Sequence, residues 1–468
     1  MSVINTVKKI YTNIPLWLTN SFAPFYYLIP ETKRYGRVFE TQRRYLKELE
    51  LLSDSRIEEL VNIQFVNLVR HAYENVPYYH NLFDEHGILV SSFKDVRDIK
   101  KIPFLTKELL IKHREELIAT NIDRKSLQYI TTSGSTGNPV GFYVDSDSTM
   151  KEWAYTLNLW ERVGYRPDSS RLLFRGKTFW AQKNKGENWQ YDAFRRELSC
   201  NIFDLCEENL EQYCQAIEKY KPEFVHGYMS AINILCKYIE KRPGGLRHQF
   251  KAILAVSENV LVAQREYIEL ILNSRVFSFY GHSERLVMAG ECEYSNEYHI
   301  EPLYGFAEIV DRNGQTINDD STGELVSTGF CNKGMPMLRY KTGDMASWSQ
   351  KVTCNCGRPH KRIAGVHGRW KQDILVNRDG ALVSLTAINM HSDVFDKILR
   401  YQFYQDTVGE VVIKILPRIG FNAVDETKIL KQLNEKTQGK INYKIELVDQ
   451  IPLKKNGKYT IVNQQLKV

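Results

Sequence analysis

The stretch YITTSGSTGNPVGFYVD, residues 129–145, decides how this chain is read. Its lead-in, Tyr129-Ile130-Thr131-Thr132, is apolar and β-branched in the manner of a strand, and residues 140–144 resume an alternating pattern. Between them lies a run of small hydroxylated residues and glycines closed by Pro139. Glycine lets a backbone approach an anion closely, and Ser or Thr hydroxyls with free backbone N–H groups can surround phosphate oxygens. A nucleotide-binding P-loop would end in Gly-Lys-Ser/Thr, whereas Gly137 is followed by Asn138-Pro139. Ordinary turn chemistry accounts for the same composition. The rest of the chain must decide between a turn and a phosphate cradle.

Downstream of the loop, strand and helix patterns alternate. Residues 146–165 have helical periodicity; strands are expected at 171–176, 223–228, 251–259 and 276–284, with helices around 207–220, 230–241 and 261–273. This βαβα rhythm predicts an α/β core with largely parallel strands. From about residue 299 the texture changes to short strands and turns, which predicts an antiparallel, barrel-like β subdomain. The last hundred or so residues carry strands at 374–384, 409–416 and 441–449 and a helix near 425–438, the pattern of a small mobile α+β domain. Upstream, residues 37–76 and 107–119 read as helical, with a break at Asn75-Val76-Pro77 because proline disfavours helix at the residue before it.

The totals agree with such a protein. A chain of 468 residues is long enough for two or three domains at ~100–200 residues each. A hydrophobic content of 43% with 12% aromatic residues belongs to a large globular core. The net charge of +7 is spread along the chain, with no basic stripe of the kind nucleic acid needs. Eight cysteines without a secretory leader point to a reducing cytoplasm. Residues 13–30 are aromatic-rich but interrupted by prolines and polar residues, too broken for a membrane span. They read as a packing arm or, because Lys8, Lys9, Lys33 and Arg34 flank them, as a peripheral membrane contact.

Four further motifs are unusual: YGHSE at 280–284, RYKTGD at 339–344, Gly368-Arg369, and PLKKNGK at 452–458. In this order after the Ser/Thr/Gly loop, and together with ENVPYY, HGYMSAI, SEN, ECE…HIE and CNCGR, they resemble the adenylate-forming (acyl-activating) superfamily. Within it the chain looks like the phenylacetate–CoA ligases and CapK-like proteins of capsular polysaccharide biosynthesis. The likeness runs from residue 74 to the C-terminal lysine. It implies a large multi-layer α/β adenylation domain over residues 1–367 and a mobile C-terminal domain over 368–468.

The resemblance also implies roles. Thr131, Thr132, Ser133, Gly134, Ser135, Thr136 and Gly137 would hold the β- and γ-phosphates of ATP. Ser257 and Glu258 would lie on the adenine side, Tyr280 would stack on the base, and Gly281 and Ser283 would flank the nucleotide. Glu284 would hold Mg²⁺, Asp344 would accept from the ribose hydroxyls, and Arg369 would touch ribose or phosphate. Lys458 would bridge the carboxylate and the α-phosphate, supplying the cation that the loop lacks. Relatives rotate the C-terminal domain about a residue just past Gly-Arg, often Asp; here Lys371 is the positional match and Asp373 the alternative. The implied reaction makes an acyl-adenylate from a small or aromatic carboxylate. Transfer then goes to CoA, a carrier-protein thiol, or a sugar amine or hydroxyl in surface-polysaccharide synthesis. Candidate acyl-pocket residues are Phe142, Tyr143, His226, Tyr228, Met229, His282 and Met288. The rival reading is a catalytically silent nucleotide-binding protein of the same fold; a homodimer is open in either case.

Cys292, His299, Cys354 and Cys356 form a second constellation. Residue types alone leave tetrahedral zinc and unligated thiols both open. The resemblance favours a structural zinc, because the phenylacetate–CoA ligase branch carries a matching Cys…His…Cys-x-Cys set. Cys200, Cys206, Cys214 and Cys331 read as packing residues.

Overall fold

The computed structural model describes residues 16–29, 34–132, 140–176, 188–351, 353–367, 374–388, 397–451 and 461–466. The opening stretch folds as a hairpin of β1 (Gln128–Thr131) and β2 (Gly141–Val144), with Thr131 opposite Gly141. Residues 133–139, the tip of the expected phosphate loop, lie outside the described residues.

Downstream, β3 (Arg171–Phe174), β4 (Trp189–Asp192), β5 (Glu197–Cys200), β6 (Phe224–Gly227), β7 (Ala252–Ala255) and β8 (Arg275–Gly281) form the α/β core. β3 pairs in parallel with β5 and β6, β6 with β7, and β7 with β8, while β4 runs antiparallel to β5 at the edge. β5, β6 and β7 are four-residue strands buried at every position, as strands covered by helices on both faces must be. The covering helices Glu207–Tyr220, Met229–Lys241 and Val262–Leu272 match the sequence periodicity within a residue at each end. Lys221 and Asn273 stop two of them in the left-handed conformation (φ 48° and 46°).

The antiparallel strands expected after residue 299 are present, and they continue the core sheet edge to edge. β9 (Met288–Gly290) pairs with β8, and β10 (Tyr298–Ile300), β11 (Gly305–Val310), β12 (Gly323–Gly329), β13 (Tyr340–Trp348) and β14 (Arg362–His367) complete one twelve-stranded order. That order is β11-β12-β13-β14-β10-β9-β8-β7-β6-β3-β5-β4. Register shifts within β12–β13 and β13–β14 bend this half, and Val287, Ala289, Ile309, Leu325 and Trp348 fill its interior.

Two sequence expectations change in detail. The helical pattern of 37–76 is two helices, Arg37–Leu49 and Asp54–Asn75, the second capped by the Ser53 side chain accepting from the Arg56 N–H. Pro77 does end that helix, and it also begins the next, Pro77–Glu85, where its missing N–H costs nothing. The helix expected at 107–119 is one short segment, Lys107–Lys112.

From Ile374 on, β15 (Ile374–Val376) and β16 (Leu382–Ser384) form a hairpin, and β17 (Ile398–Thr407), β18 (Glu410–Pro417), β19 (Asn442–Leu447) and β20 (Val462–Gln464) form a separate sheet in the order β19-β18-β17-β20. The helix Ala423–Thr437 starts on a capping box of Asn422 and Asp425. Strand β17 has no counterpart in the sequence expectations. Among the described residues, no helix is long and apolar enough to cross a membrane.

Candidate functional site

Strands β6, β7 and β8 end at the same edge of the parallel sheet, the edge where open α/β sheets hold ligands. β6 closes with Gly227, where a Cβ would sit 2.5 Å from the Phe174 carbonyl oxygen of β3. Two non-glycine residues with positive φ stand at this edge: Ser257 just after β7 and Arg285 just after β8, both at 58°. Such conformations cost energy and persist only where the surroundings impose them. At Arg285 the imposing contacts are visible. Its N–H donates to the His282 carbonyl (3.0 Å), and its guanidinium reaches Glu152 (2.5 Å), the Thr149 hydroxyl (2.7 Å) and the Ser148 hydroxyl (3.3 Å).

Two acids, one from the β8 segment and one from β13, are each held by a tyrosine of the other segment. The Tyr280 hydroxyl donates to Asp344 Oδ2 at 2.9 Å; burial, and then the Asp344 charge, push that phenol well above its ordinary pKa. Asp344 is aimed by the turn before it. Its N–H donates to Thr342 Oγ1 (3.1 Å), the Thr342 hydroxyl donates to the Leu325 carbonyl (2.7 Å), and Gly343, at φ 74°, donates its N–H to Glu324 (3.1 Å). The Tyr340 hydroxyl donates to Glu284 Oε1 at 3.2 Å, and Glu284 is buried. Tyr340, Glu152 and Arg285 were not among the residues singled out from sequence. For Tyr340 a signal existed, since it belongs to the quoted RYKTGD motif.

Other expected residues take supporting positions. Thr132 ties down the base of the hairpin loop, its N–H donating to the Val140 carbonyl and its hydroxyl accepting from the Val140 N–H, both at 2.9 Å. Thr131 is buried beside it. Glu258 accepts from the Ser230 N–H and hydroxyl, both at 2.8 Å, at the start of the helix Met229–Lys241. Phe142, Tyr228, Met229 and Met288 are buried, and His226 packs edge-on against Trp160 with ring centroids 4.8 Å apart. His226 is held neutral first by burial and then by the nearby arginines. Ser133, Gly134, Ser135, Thr136, Gly137, Arg369, Lys371, Asp373 and Lys458 lie outside the described residues.

The second constellation is drawn together in space. Cys292 follows β9, His299 lies in β10, and Cys354 and Cys356 precede β14; their ligand atoms all lie within 4.8 Å of one another. The Cys292 and Cys354 sulfurs are 3.6 Å apart, and Cys356 Sγ is 3.9 Å from His299 Nε2. A zinc tetrahedron with Zn–S bonds of about 2.3 Å has S···S edges of roughly 3.8 Å, so the donor set fits that ion. Burial and the Arg162 guanidinium lower His299 to about 3, which keeps its ring lone pair free to ligate. Burial raises the Cys292 thiol to about 11. At Cys354 burial works the same way, but the Cys356 N–H and the Cys292 thiol outweigh it and favour the thiolate. Cys200, Cys214 and Cys331 are buried packing residues, as is Cys236, whereas Cys206 is half-buried at the start of a helix.

Residues 375–465 match the family model described as the CapK C-terminal domain. Protein CapK of Staphylococcus aureus is 24% identical over 444 residues, covering 92% of this chain and 95% of that one. Phenylacetate-coenzyme A ligase of Thermus thermophilus is 27% identical over 342 residues, covering 71% of this chain and 75% of the relative. The Escherichia coli K12 protein of the same name is 26% identical over 344 residues, covering 71% and 76%. In fold, the chain resembles 2-hydroxyisobutyryl-CoA ligase solved with 2-HIB-AMP and CoA, with a TM-score of 0.57 at 16% identity over 89% of this chain and 91% of that one.

Proposed function

Because the chain belongs to the adenylate-forming superfamily, in its CapK-like branch, we propose that it activates a carboxylate with ATP and transfers the acyl group to an acceptor. The observation that carries this reading is the pair of tyrosine-held acids at the sheet edge, Tyr280 on Asp344 and Tyr340 on Glu284. In the first step a carboxylate oxygen bonds to the α-phosphorus of ATP as the bond to pyrophosphate breaks. Two anions must meet, so the site's task is positioning and charge neutralisation more than proton transfer.

Asp344 would orient the ribose by accepting from its hydroxyls, and Tyr280 would lie against the base with Ser257 and Glu258 behind it. Glu284 is a hard oxygen donor suited to Mg²⁺, which when bound would offset phosphate charge. The hairpin loop from Thr131 to Gly137 would hold the departing pyrophosphate. Arg369 and Lys458 would come from the C-terminal domain, whose boundary we place after residue 367. Cys292, His299, Cys354 and Cys356 would hold a structural zinc that pins the segment after Glu284 to the strand β14. Acceptors compatible with the chemistry are the thiol of CoA or of a carrier protein, or an amine or hydroxyl of a sugar in surface-polysaccharide synthesis. Eight cysteines, three of them proposed zinc ligands and none in a disulfide, suit a cytoplasmic protein.

Pyrophosphate exchange into ATP, run over a panel of small and aromatic carboxylates, tests the proposal. Exchange that depends on one of the acids is the expected result. Protein that binds ATP and exchanges with none of them would be the silent nucleotide-binding member of the fold.

A further inference from the structure

The helix Leu16–Tyr27 has two unlike sides. One is fastened to the β4 edge of the sheet. The Asn20 amide donates to the Tyr191 carbonyl (3.0 Å) and accepts from the Ala193 N–H (2.8 Å), and the Tyr27 hydroxyl donates to the Phe194 carbonyl (2.6 Å). Tyr26 packs on Phe194, Ala23 is buried, and Arg196 lies 4.5 Å over the Tyr27 ring. Just beyond, Arg34 makes a two-pronged ion pair with Asp168 at 2.7 and 3.0 Å. The other side is apolar and open to solvent: Phe22 is 55% exposed, Phe25 65%, Leu28 79% and Ile29 43%. Positions 22 and 25 share one face by helical spacing, and Leu28 and Ile29 extend it just past the helix end.

We propose that this face seats on an anionic lipid surface, docking the protein peripherally on a membrane. Charge selects the occupant. Residues 16–29 contain no Asp, Glu, Lys, Arg or His, and around them Lys8, Lys9 and Lys33 stand against the single acid Glu31, Arg34 being taken up by Asp168. An apolar aromatic face flanked in sequence by cations fits the boundary between anionic headgroups and acyl chains. A second copy of the chain is a poorer occupant, since a two-fold contact would bring the same cations together. The protein interior is not an occupant either, because the helix already presents its other side to the β4 edge. With no membrane-crossing helix among the described residues, the contact is one of surface docking. Being anchored to β4, the helix would carry the whole α/β core to the bilayer, and the inference holds whatever the acyl substrate is.

Co-sedimentation of the full chain with vesicles of 70:30 phosphatidylcholine:phosphatidylglycerol, and with phosphatidylcholine alone, tests it. Binding is expected to the mixed vesicles, to weaken with added salt, and to fall at least tenfold in the variant Phe22→Ser/Phe25→Ser/Leu28→Ser. That variant should melt like the wild type, because the three side chains face outward. If it does not fold, Phe25→Asp alone provides the same comparison. Absence of binding to mixed vesicles, equal binding to the neutral ones, or unchanged binding by a folded variant would each overturn the proposal. So would a concentration-dependent dimer in ultracentrifugation that the variant loses, since the face would then belong to a second copy.

Discussion

The Tyr280 hydroxyl and Asp344 raise a question that a single side chain can answer. In the structure the phenol donates to one carboxylate oxygen, yet the proposed role of that carboxylate is to accept from a ribose. If ribose displaces the phenol, Tyr280 contributes chiefly its ring, and the variants separate. Tyr280→Phe should change the KM for ATP less than about threefold, while Asp344→Ala should raise it roughly ten- to a hundredfold, the equivalent of a charge-assisted hydrogen bond of about 1.5–3 kcal/mol. Initial-rate kinetics of pyrophosphate exchange would read both; equal effects would mean that the hydroxyl itself contacts the nucleotide. At this scale the sequence was informative where chemistry is local. Asp344 follows a Thr-Gly turn and Glu284 closes a strand-end motif, and the structure places both at the sheet edge. Glu152 and Arg285 were not legible, because a glutamate within a helix looks like any solvated position. Its pairing follows only from Arg285 being turned toward it by a backbone conformation that no residue type announces.

Among elements, strand β17 shows why a pattern can fail. It carries Gln402 and Gln405 at buried positions, which breaks the apolar alternation a strand search relies on. Gln405 is accommodated because its side-chain amide acts as a backbone would, accepting from the Val376 N–H (2.8 Å) and donating to the Val376 carbonyl (2.7 Å) of β15. By contrast the helices Glu207–Tyr220 and Val262–Leu272 were legible within a residue, since an amphipathic face packed on a sheet is a local signal. The cysteine–histidine cluster lies between these cases. Its residue types were visible, but only the pairing of β10 with β9 and β14 brings His299 to Cys292 and the Cys354–Cys356 turn. A structural ion here makes a definite prediction. Metal analysis of the purified protein should give near one zinc per chain, lost in Cys354→Ser together with a fall in melting temperature. A metal-free wild type of unchanged stability would leave the cluster as packed thiols.

For the whole molecule the matter is what holds the part beyond Ile374 against the core. The sequence indicated a small α+β domain over the last hundred or so residues but no contact between it and the core, because such a contact depends on which surfaces meet. One contact is Lys440. Gln438 and Gly439, both at positive φ (53° and 71°), turn the chain after the helix Ala423–Thr437 so that the Lys440 ammonium reaches Asp204 of the core and, at 2.9 Å, Asp379 of its own part. Burial disfavours the lysine charge, but the two carboxylates outweigh it and raise its pKa. Asp204 is buried just after β5 and also accepts from Asn209 (2.8 Å). Removing one member of a fully buried pair costs about 3–5 kcal/mol. The Lys440 side chain is 32% exposed, so solvent screening reduces this to ~1–2 kcal/mol, a shift of roughly five- to thirtyfold in the docked population. Lys440→Met should therefore leave the fold intact while letting the C-terminal part leave the core, seen as a larger radius of gyration in small-angle scattering. Asp204→Asn should act in the same direction, and the double variant should exceed neither by much, because both remove one interaction. If scattering is unchanged in both single variants, the apolar surface joining the two parts is what docks them, and Lys440 only marks where they meet.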